Sequence, residues 1–285
     1  MAETWTVRSL LTWAREWLAR KGVENPRLDA ELLLARALRC DRVRLYIDVD
    51  KPLAAEELAA FKALLLRRGA REPVAYILGS KEFYGRPFEV ASGVFIPRPE
   101  TELLVRMVVE HLPQDAPSRV LDLCAGSGAV GISIAAERPR AAVDLVEISS
   151  EAAEVARRNG QKLAPGRVRV FNGDLYAALP DKVRYDAMAA NPPYVATADA
   201  KRLAPDVVQH EPHLALFAGD EGLAVIRRIA VGIREWLAPG GLFATEIDPA
   251  QAEVVAVLLR EAGLTQVRVE RDLAGLDRHV VGKGT

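Results

Sequence analysis

Two stretches of this chain carry residues whose types and spacing suit chemistry. In "NPPYV", residues 191–195, two consecutive prolines end the apolar run "YDAMAA". Proline neither donates a backbone hydrogen bond nor sits in a central strand, so a buried strand stops there. Asn191 offers a side-chain carbonyl, and Pro192 a backbone carbonyl on a stiff turn that lacks an N–H. Two such acceptors can take both hydrogens of one planar –NH2 group while the Tyr194 ring stacks on its face. A nitrogen of this kind, in an amide or on a nucleobase, is a weak nucleophile because its lone pair is delocalised. Methylating it from a sulfonium is then a matter of positioning, an effect worth up to roughly 7–11 kcal/mol. No strong general base is needed if the proton leaves after the methyl arrives.

The second stretch, "LDLCAGSGAVGISIA", runs from a strand through a glycine turn into a helix. Glycines there let the backbone approach a ligand closely and aim helix N–H groups at it. Gly126, Gly128 and Gly131 spell the dinucleotide fingerprint, and Glu147, about 20 residues on, stands where an acid holds ribose hydroxyls. Asp122, at the end of the first strand, would repel a pyrophosphate but suits a cationic ligand. An amino-acid-bearing nucleoside, S-adenosylmethionine, fits acids on both sides of the loop better than a nicotinamide dinucleotide does. Asp174 in "NGDLYAAL" follows the third strand, where an adenine ring would lie, or else caps the next helix.

These residues need a scaffold that brings them together. From about Glu100 the runs "RVLDLC", "AAVDLVEI", "RVRVFNGD", "YDAMAA" and "GGLFATEI" alternate with helical patterns, which predicts a parallel sheet with helices on both faces. In doubly wound sheets the first and fourth strands flank the point where strand order reverses, and ligands bind there. Asp122, the glycine loop and Asn191 are thus expected to open onto one crevice. The tail "QVRVERDLAGLDRHVVGK" reads as two further strands around Gly275.

Ahead of the sheet, three amphipathic helices are expected before Arg71: one with Leu10, Trp13, Trp17 and Lys21 on one side and stopped by Gly22, one capped by Asn25 with Pro26 at its first position, and one ending at Gly69. Trp5, Trp13 and Trp17 are assigned to the core of this small bundle rather than to a binding face. Residues 73–99 mix aromatic and β-branched side chains with glycine and proline and read as a hairpin. The expected division is therefore a helical domain over 1–72, a hairpin connector over 73–99 and a catalytic domain over 100–285.

A length of 285 residues, half of them apolar and 27% charged, suits a globular protein of two domains. The net charge of −1 argues against a general polyanion binder. Cys40 and Cys124, the only cysteines, lie far apart, as in a reducing compartment. In "HEPH", Pro212 interrupts any helical face that could align His210, Glu211 and His213, so the segment reads as a polar loop and no metal is expected. With no signal peptide and no apolar stretch of spanning length, a cytoplasmic location without membrane contact is expected.

Over nearly its whole length the chain resembles the release factor glutamine methyltransferases, the HemK/PrmC family, through "EPVAYILGSKEFYG", "FIPRPETE", "DLCAGSGAVGISIA", "NPPYV", "EPHLALFAGDEGL" and "RDLAGLDRH". "NPPY" alone is shared with enzymes that methylate adenine and cytosine amino groups; "IPRPETE" ahead of the glycine loop, together with a helical N-terminal half, is far more specific. The resemblance implies an α/β fold with a doubly wound, mostly parallel Rossmann-like methyltransferase sheet, a small N-terminal helical bundle and a β-hairpin connector. It implies S-adenosylmethionine as donor, with S-adenosylhomocysteine as product, and the glutamine of the Gly-Gly-Gln loop of class I peptide chain release factors as acceptor. The helical domain would help recognise the release factor, with no stable nucleic-acid partner and a monomeric enzyme. Carried over by position, Cys124, Ala125, Gly126, Ser127 and Gly128 form the cofactor loop and Glu147 the ribose ligand. Asp174 and Leu175 stand on the adenine side, while Asn191, Pro192, Pro193 and Tyr194 hold the substrate amide, with Asn191 also counted among the cofactor-binding residues. Arg98, Glu100, Glu102, Glu211 and Pro212 are weaker candidates for shaping the pocket. The chain departs from the family pattern at Cys124 and Ala125 (usually Gly-Thr), at Leu175 (usually aromatic) and at Asp248 (usually glycine).

Three rival readings predict other features. A nucleic-acid adenine methyltransferase needs a basic groove and a target-recognition region; a non-catalytic adaptor predicts damage at Asn191 or Tyr194; a nicotinamide oxidoreductase accounts for the glycines but not for "NPPY" or Asp122.

Overall fold

The computed structural model describes residues 4–180 and 182–285. The chain forms two compact units: one built from the residues up to Gly79 together with Pro205–His210, the other from Ser80–Ala204 and Glu211–Thr285.

The first unit is helical. Helix α1 (Val7–Arg20) starts where the Thr6 hydroxyl accepts the Ser9 N–H at 3.2 Å and stops before Gly22, whose φ of 75° leaves the helical region. Its buried face is Val7, Leu10, Ala14 and Leu18, not the side bearing Trp13 and Trp17. Each tryptophan precedes a buried residue by one position, about 100° around the helix, so the rings flank the core; Trp17 and Trp5 pack against it partly buried, as expected, and Trp13 does not. Trp13 is 41% exposed and stacks on Trp17 at 6.2 Å, with Trp5 edge-on to it at 6.0 Å. Helix α2 (Pro26–Leu38) has Pro26 in its first turn as expected, but the Asn25 side chain makes no capping bond; the fixed φ of proline is what remains to set this start. Asp41 caps the short α3 (Arg42–Ile47), and α4 (Ala55–Gly69) ends where a Cβ on Gly69 would sit 2.1 Å from the Trp17 ring. Beyond Pro73 the chain first makes one more helical turn, α5 (Val74–Leu78), ahead of any strand. Within this unit Arg68, itself buried, pairs with Asp29 at 2.6 Å and with Asp206 at 2.8 Å, and Arg71 also pairs with Asp206.

The second unit opens with the hairpin β1 (Ser80–Phe83) and β2 (Arg86–Glu89), joined by Tyr84 and Gly85 at φ 50° and 68°, the double positive φ of a type I′ turn. A 3-10 turn (Pro99–Thr101) leads into α6 (Glu102–His111). There follow β3 (Ser118–Leu123), α7 (Ala129–Glu137), β4 (Ala141–Glu147), α8 (Ser150–Leu163), β5 (Val168–Asn172) and β6 (Tyr185–Ala190). After α9 (Pro205–His210), which belongs to the first unit, the second continues with the short α10 (His213–Leu216), α11 (Ala224–Trp236), β7 (Leu237–Glu246), α12 (Ala252–Glu261), β8 (Thr265–Arg271) and β9 (Asp277–Lys283). The seven strands lie in the order β5-β4-β3-β6-β7-β9-β8. The first five are parallel and β9 is antiparallel to both its neighbours. This is the doubly wound, mostly parallel sheet that the alternation predicted.

Alternate residues of each strand feed two cores. Val120, Ala187, Ala189, Leu242 and Ala244 pack with α6, α7 and the hairpin rings Phe83 and Phe88. Leu121, Leu123, Met188, Ala190 and Phe243 pack with α11 and α12. No helix among the described residues is long and apolar enough to cross a membrane.

Candidate active site at the switch point

Strand order reverses between β3 and β6, and Leu123 pairs with Ala190 as their last partners. Cys124 and Asn191 therefore leave the sheet side by side, at the carboxyl edge where such folds bind ligands.

The loop after β3 is held by its own backbone. The Ala125 N–H donates to the Val146 carbonyl at 3.1 Å, the Gly128 N–H to the Ala125 carbonyl at 2.8 Å, and the Gly126 N–H to Glu147 Oε2 at 2.8 Å. From below, Asn159 Nδ2 donates to the Ser127 carbonyl at 2.9 Å. The three glycines do different work. A Cβ on Gly131 would lie 2.2 Å from Leu145 of β4, and one on Gly128 3.0 Å from the same residue, so these two let α7 pack onto the sheet. A Cβ on Gly126, at φ 56°, would meet nothing within 4 Å; only this glycine presents bare backbone to open space.

The two acids lie on either side of that loop. Asp122 is 1% exposed, and its Oδ2 accepts the Gly131 N–H at 2.8 Å, tying down the first turn of α7 from beneath. Burial, opposed by that hydrogen bond, pushes its pKa up to about 7. Glu147, 7% exposed, accepts the Gly126 N–H on one oxygen and the Ser149 N–H on the other, both at 2.8 Å, and burial raises its pKa as well. A carboxylate offers about four lone-pair sites, and with the Ile148 N–H also directed at Glu147 one remains for a ligand hydroxyl. Burial raises the pKa of the Cys124 thiol and keeps it neutral. Asp174 does not cap the turn that follows it; its carboxylate pairs with Arg228 at 2.7 Å. Leu175 is buried, with φ 46°, in the core on the α11 side.

At the other side of the switch point, Asn191 Nδ2 donates to Thr101 Oγ1 at 3.2 Å. Among the described residues neither Asn191 Oδ1 nor the Pro192 carbonyl receives a hydrogen bond. Pro192 and Pro193 are buried. The Tyr194 hydroxyl donates to Glu246 Oε1 at 3.2 Å, and its backbone carbonyl accepts Gln251 Nε2 at 3.0 Å. Gly222 packs so tightly there that a Cβ would come within 2.1 Å of the same carbonyl.

The weaker candidates serve mostly as braces. Glu102 accepts the Tyr84 N–H at 2.8 Å. Arg98 lies over the Phe95 ring at 5.0 Å and pairs with Glu211, which also accepts the Ile96 N–H at 3.3 Å, and Pro212 opens α10. Sequence reasoning passed over Thr101, Glu246, Gln251, Gly222 and Asn159. For two of these a signal existed: Thr101 lies between the two glutamates of "IPRPETE", and Glu246 is the one charged residue of "GGLFATE", closing it at the sheet's carboxyl edge.

Comparison with known proteins decides between the readings that this geometry allows. A family profile described as PrmC N-terminal domain matches residues 9–79, and one described as methyltransferase small domain matches residues 88–229. The chain is 43% identical over 281 residues to the release factor glutamine methyltransferase of Geobacter sulfurreducens, spanning 99% of this chain and 98% of that one. To the protein of the same name from Burkholderia pseudomallei it is 43% identical over 261 residues, 90% and 91% of the two chains. The chain belongs to the release factor glutamine methyltransferase family.

Among solved structures, a methyltransferase from Pyrococcus furiosus shares the fold, with a TM-score of 0.51 over 79% of this chain and 98% of that one at 18% identity. A release-factor-specific protein-(glutamine-N5) methyltransferase from Alicyclobacillus acidocaldarius is 30% identical, covering 69% of this chain and 99% of that one with a TM-score of 0.41. As a release factor glutamine methyltransferase family member, the chain departs from the common pattern without disturbing its backbone at Asp248. There φ is −70° and the side chain accepts the Ala250 N–H at 2.9 Å, so no glycine is required. Cys124, by contrast, takes a φ of 59° that glycine would adopt more easily.

Proposed function

We propose that this protein transfers the methyl group of S-adenosylmethionine to the side-chain amide nitrogen (N5) of the glutamine in the Gly-Gly-Gln motif of class I peptide chain release factors. The observation that best supports this reading is the state of Asn191. Its –NH2 is taken by Thr101, which leaves its carbonyl, with that of Pro192, as a pair of open acceptors beside the glycine loop. Two acceptors fit a primary amide, which has two N–H groups, and do not fit a hydroxyl.

The residues present fit the cofactor. Gly126 offers exposed backbone, Glu147 keeps acceptor capacity for a ribose hydroxyl, and Asp122 braces the first turn of α7 beneath the loop. Asp174 and Leu175 border the same edge after β5, on the adenine side of our assignment. When bound, S-adenosylmethionine supplies an electrophilic methyl on a sulfonium. The protein's part is to hold: Asn191 Oδ1 and the Pro192 carbonyl fix the amide plane, Pro193 stiffens the turn, and the Tyr194 ring, anchored through its hydroxyl, covers the amide face. The amide proton leaves after the nitrogen has acquired its fourth bond, when it is strongly acidic. We assign the helical first unit to recognition of the release factor, and we assign a monomer working in the cytoplasm, where release factors act, with no stable nucleic-acid or membrane partner.

Glu147→Ala is expected to weaken S-adenosylmethionine binding by about 1.5–3 kcal/mol, the range for hydrogen bonds to a charged group, as read by calorimetry. The acceptor test is mass spectrometry of the Gly-Gly-Gln peptide after incubation with cofactor. Wild-type release factor should gain one methyl, and a release factor with that glutamine changed to glutamate none, because it has no –NH2 to hold. Methylation of duplex DNA with an untouched release factor would establish the nucleic-acid reading instead.

A further inference from the structure

The groups behind "NPPY" form a closed hydrogen-bonded cluster that neither the proposed chemistry nor the motif accounts for. Glu246 ends β7 and is wholly buried. Its Oε2 accepts the Thr101 hydroxyl at 2.6 Å, and its Oε1 accepts the Tyr194 hydroxyl at 3.2 Å. His279, its cross-strand partner on β9, is equally buried, with Nε2 3.8 Å from Oε2 and neither ring nitrogen in a hydrogen bond with a described residue. A carboxylate at this depth is costly unless a specific arrangement needs it.

The arrangement has a direction. Thr101 owns one proton and gives it to Glu246, so its oxygen can only accept from Asn191. Asn191 must then turn its –NH2 inward and its carbonyl outward. Without that chain the amide could flip, presenting donors to a substrate that needs acceptors. The same carboxylate pins the Tyr194 ring by its hydroxyl. Resting on the amide-methylation reading above, we propose that Thr101 and Glu246 are positioning residues: their hydrogen-bond chain sets the polarity of Asn191 and the pose of Tyr194, and so decides whether the site accepts an –NH2 group.

The polarity holds while Glu246 is charged. Burial raises its pKa to about 7, helped by Glu100 and opposed by Thr101, Arg278 and Tyr194. His279 is held neutral, its pKa lowered to about 4 by burial and Arg278 against Asp272. Protonated Glu246 would become a donor toward Thr101 or Tyr194 and release the constraint, so turnover should rise with pH through about 7.

The test is steady-state methylation of a release factor by full-length Thr101→Val, Thr101→Ser and Glu246→Gln, alongside calorimetric cofactor affinity and thermal unfolding. Thr101→Val should lower kcat roughly 10- to 100-fold, the kinetic equivalent of one charge-assisted hydrogen bond. Cofactor affinity should stay within about twofold, and Thr101→Ser, which keeps the hydroxyl, should recover kcat to within about threefold. Read as kcat at saturating cofactor, which sets aside the titration of Asp122 beneath the cofactor loop, the pH limb near 7 should be lost in Glu246→Gln. Wild-type kcat in Thr101→Val, or an equal loss in Thr101→Ser, overturns the proposal, as does an unchanged pH limb in Glu246→Gln. A wild-type enzyme that leaves the release factor unmethylated overturns the underlying function as well, which separates the two failures.

Discussion

Asn191→Ala should leave cofactor affinity near the wild-type value and lower turnover roughly 100- to 1,000-fold, about 2.7–4 kcal/mol, as for deletion of one preorganised polar contact at a reacting centre. The variant removes the Oδ1 acceptor and also frees Thr101 Oγ1, 3.2 Å away, from its donor. The cofactor loop stands apart from this loss: it is fixed by Glu147, Val146 and Asn159, none of which contacts Asn191 through a hydrogen bond. Single-turnover methylation of a release factor, beside calorimetry with S-adenosylmethionine, separates the two effects. A cofactor affinity that fell in step with turnover would move Asn191 out of the substrate grip and into the cofactor site.

Gly126→Val should abolish measurable cofactor binding, a loss of at least about 100-fold, while the sheet stays folded. Two effects add. The φ of 56° lies in the left-handed region, which costs a residue with a Cβ roughly 1–2 kcal/mol, and more when that carbon is branched. The new side chain would also project into the open space that the bare backbone faces. Because a Cβ there meets no protein atom, the fold has no packing reason to reject it, unlike one at Gly131, which would press into Leu145. Calorimetry and thermal unfolding read the two halves of this expectation. Wild-type affinity in the variant would mean that the ligand lies elsewhere.

Within the glycine fingerprint, pattern and purpose separate. The spacing of Gly126, Gly128 and Gly131 was legible in one line of sequence, but which of them meets a ligand was not. Nothing in the letters distinguishes a glycine that makes room for Leu145 from one that faces open space. Asp122 shows the same limit. An acid at a strand end reads as a ligand for charge, yet the fold turns it under the loop, where burial raises its pKa and the Gly131 N–H claims an oxygen. On α1 the expected face held in part: Leu10 is buried and Trp17 packs against the core, but Trp13 is 41% exposed, because a spacing of four residues marks a helical face without fixing its rotation and the inward stripe runs through Ala14 and Leu18, one residue later.

What the sequence by itself determined is whatever depends on local order along the chain. The alternation of apolar runs and helical patterns required a parallel sheet covered on both faces, two consecutive prolines required the fourth strand to end at Ala190, and Asn191 carried its acceptor wherever the chain went. Only the tertiary structure decided the direction of that acceptor. Thr101, Asn191, Glu246 and His279 are spread over 179 residues of chain (101 to 279) and meet because β7 lies beside β6, β9 beside β7, and the turn before α6 at their carboxyl edge. Hydrogen-bond polarity passes from one side chain to the next only through contact. No pattern along the sequence could therefore show that a buried glutamate on the fifth parallel strand turns an asparagine toward its substrate.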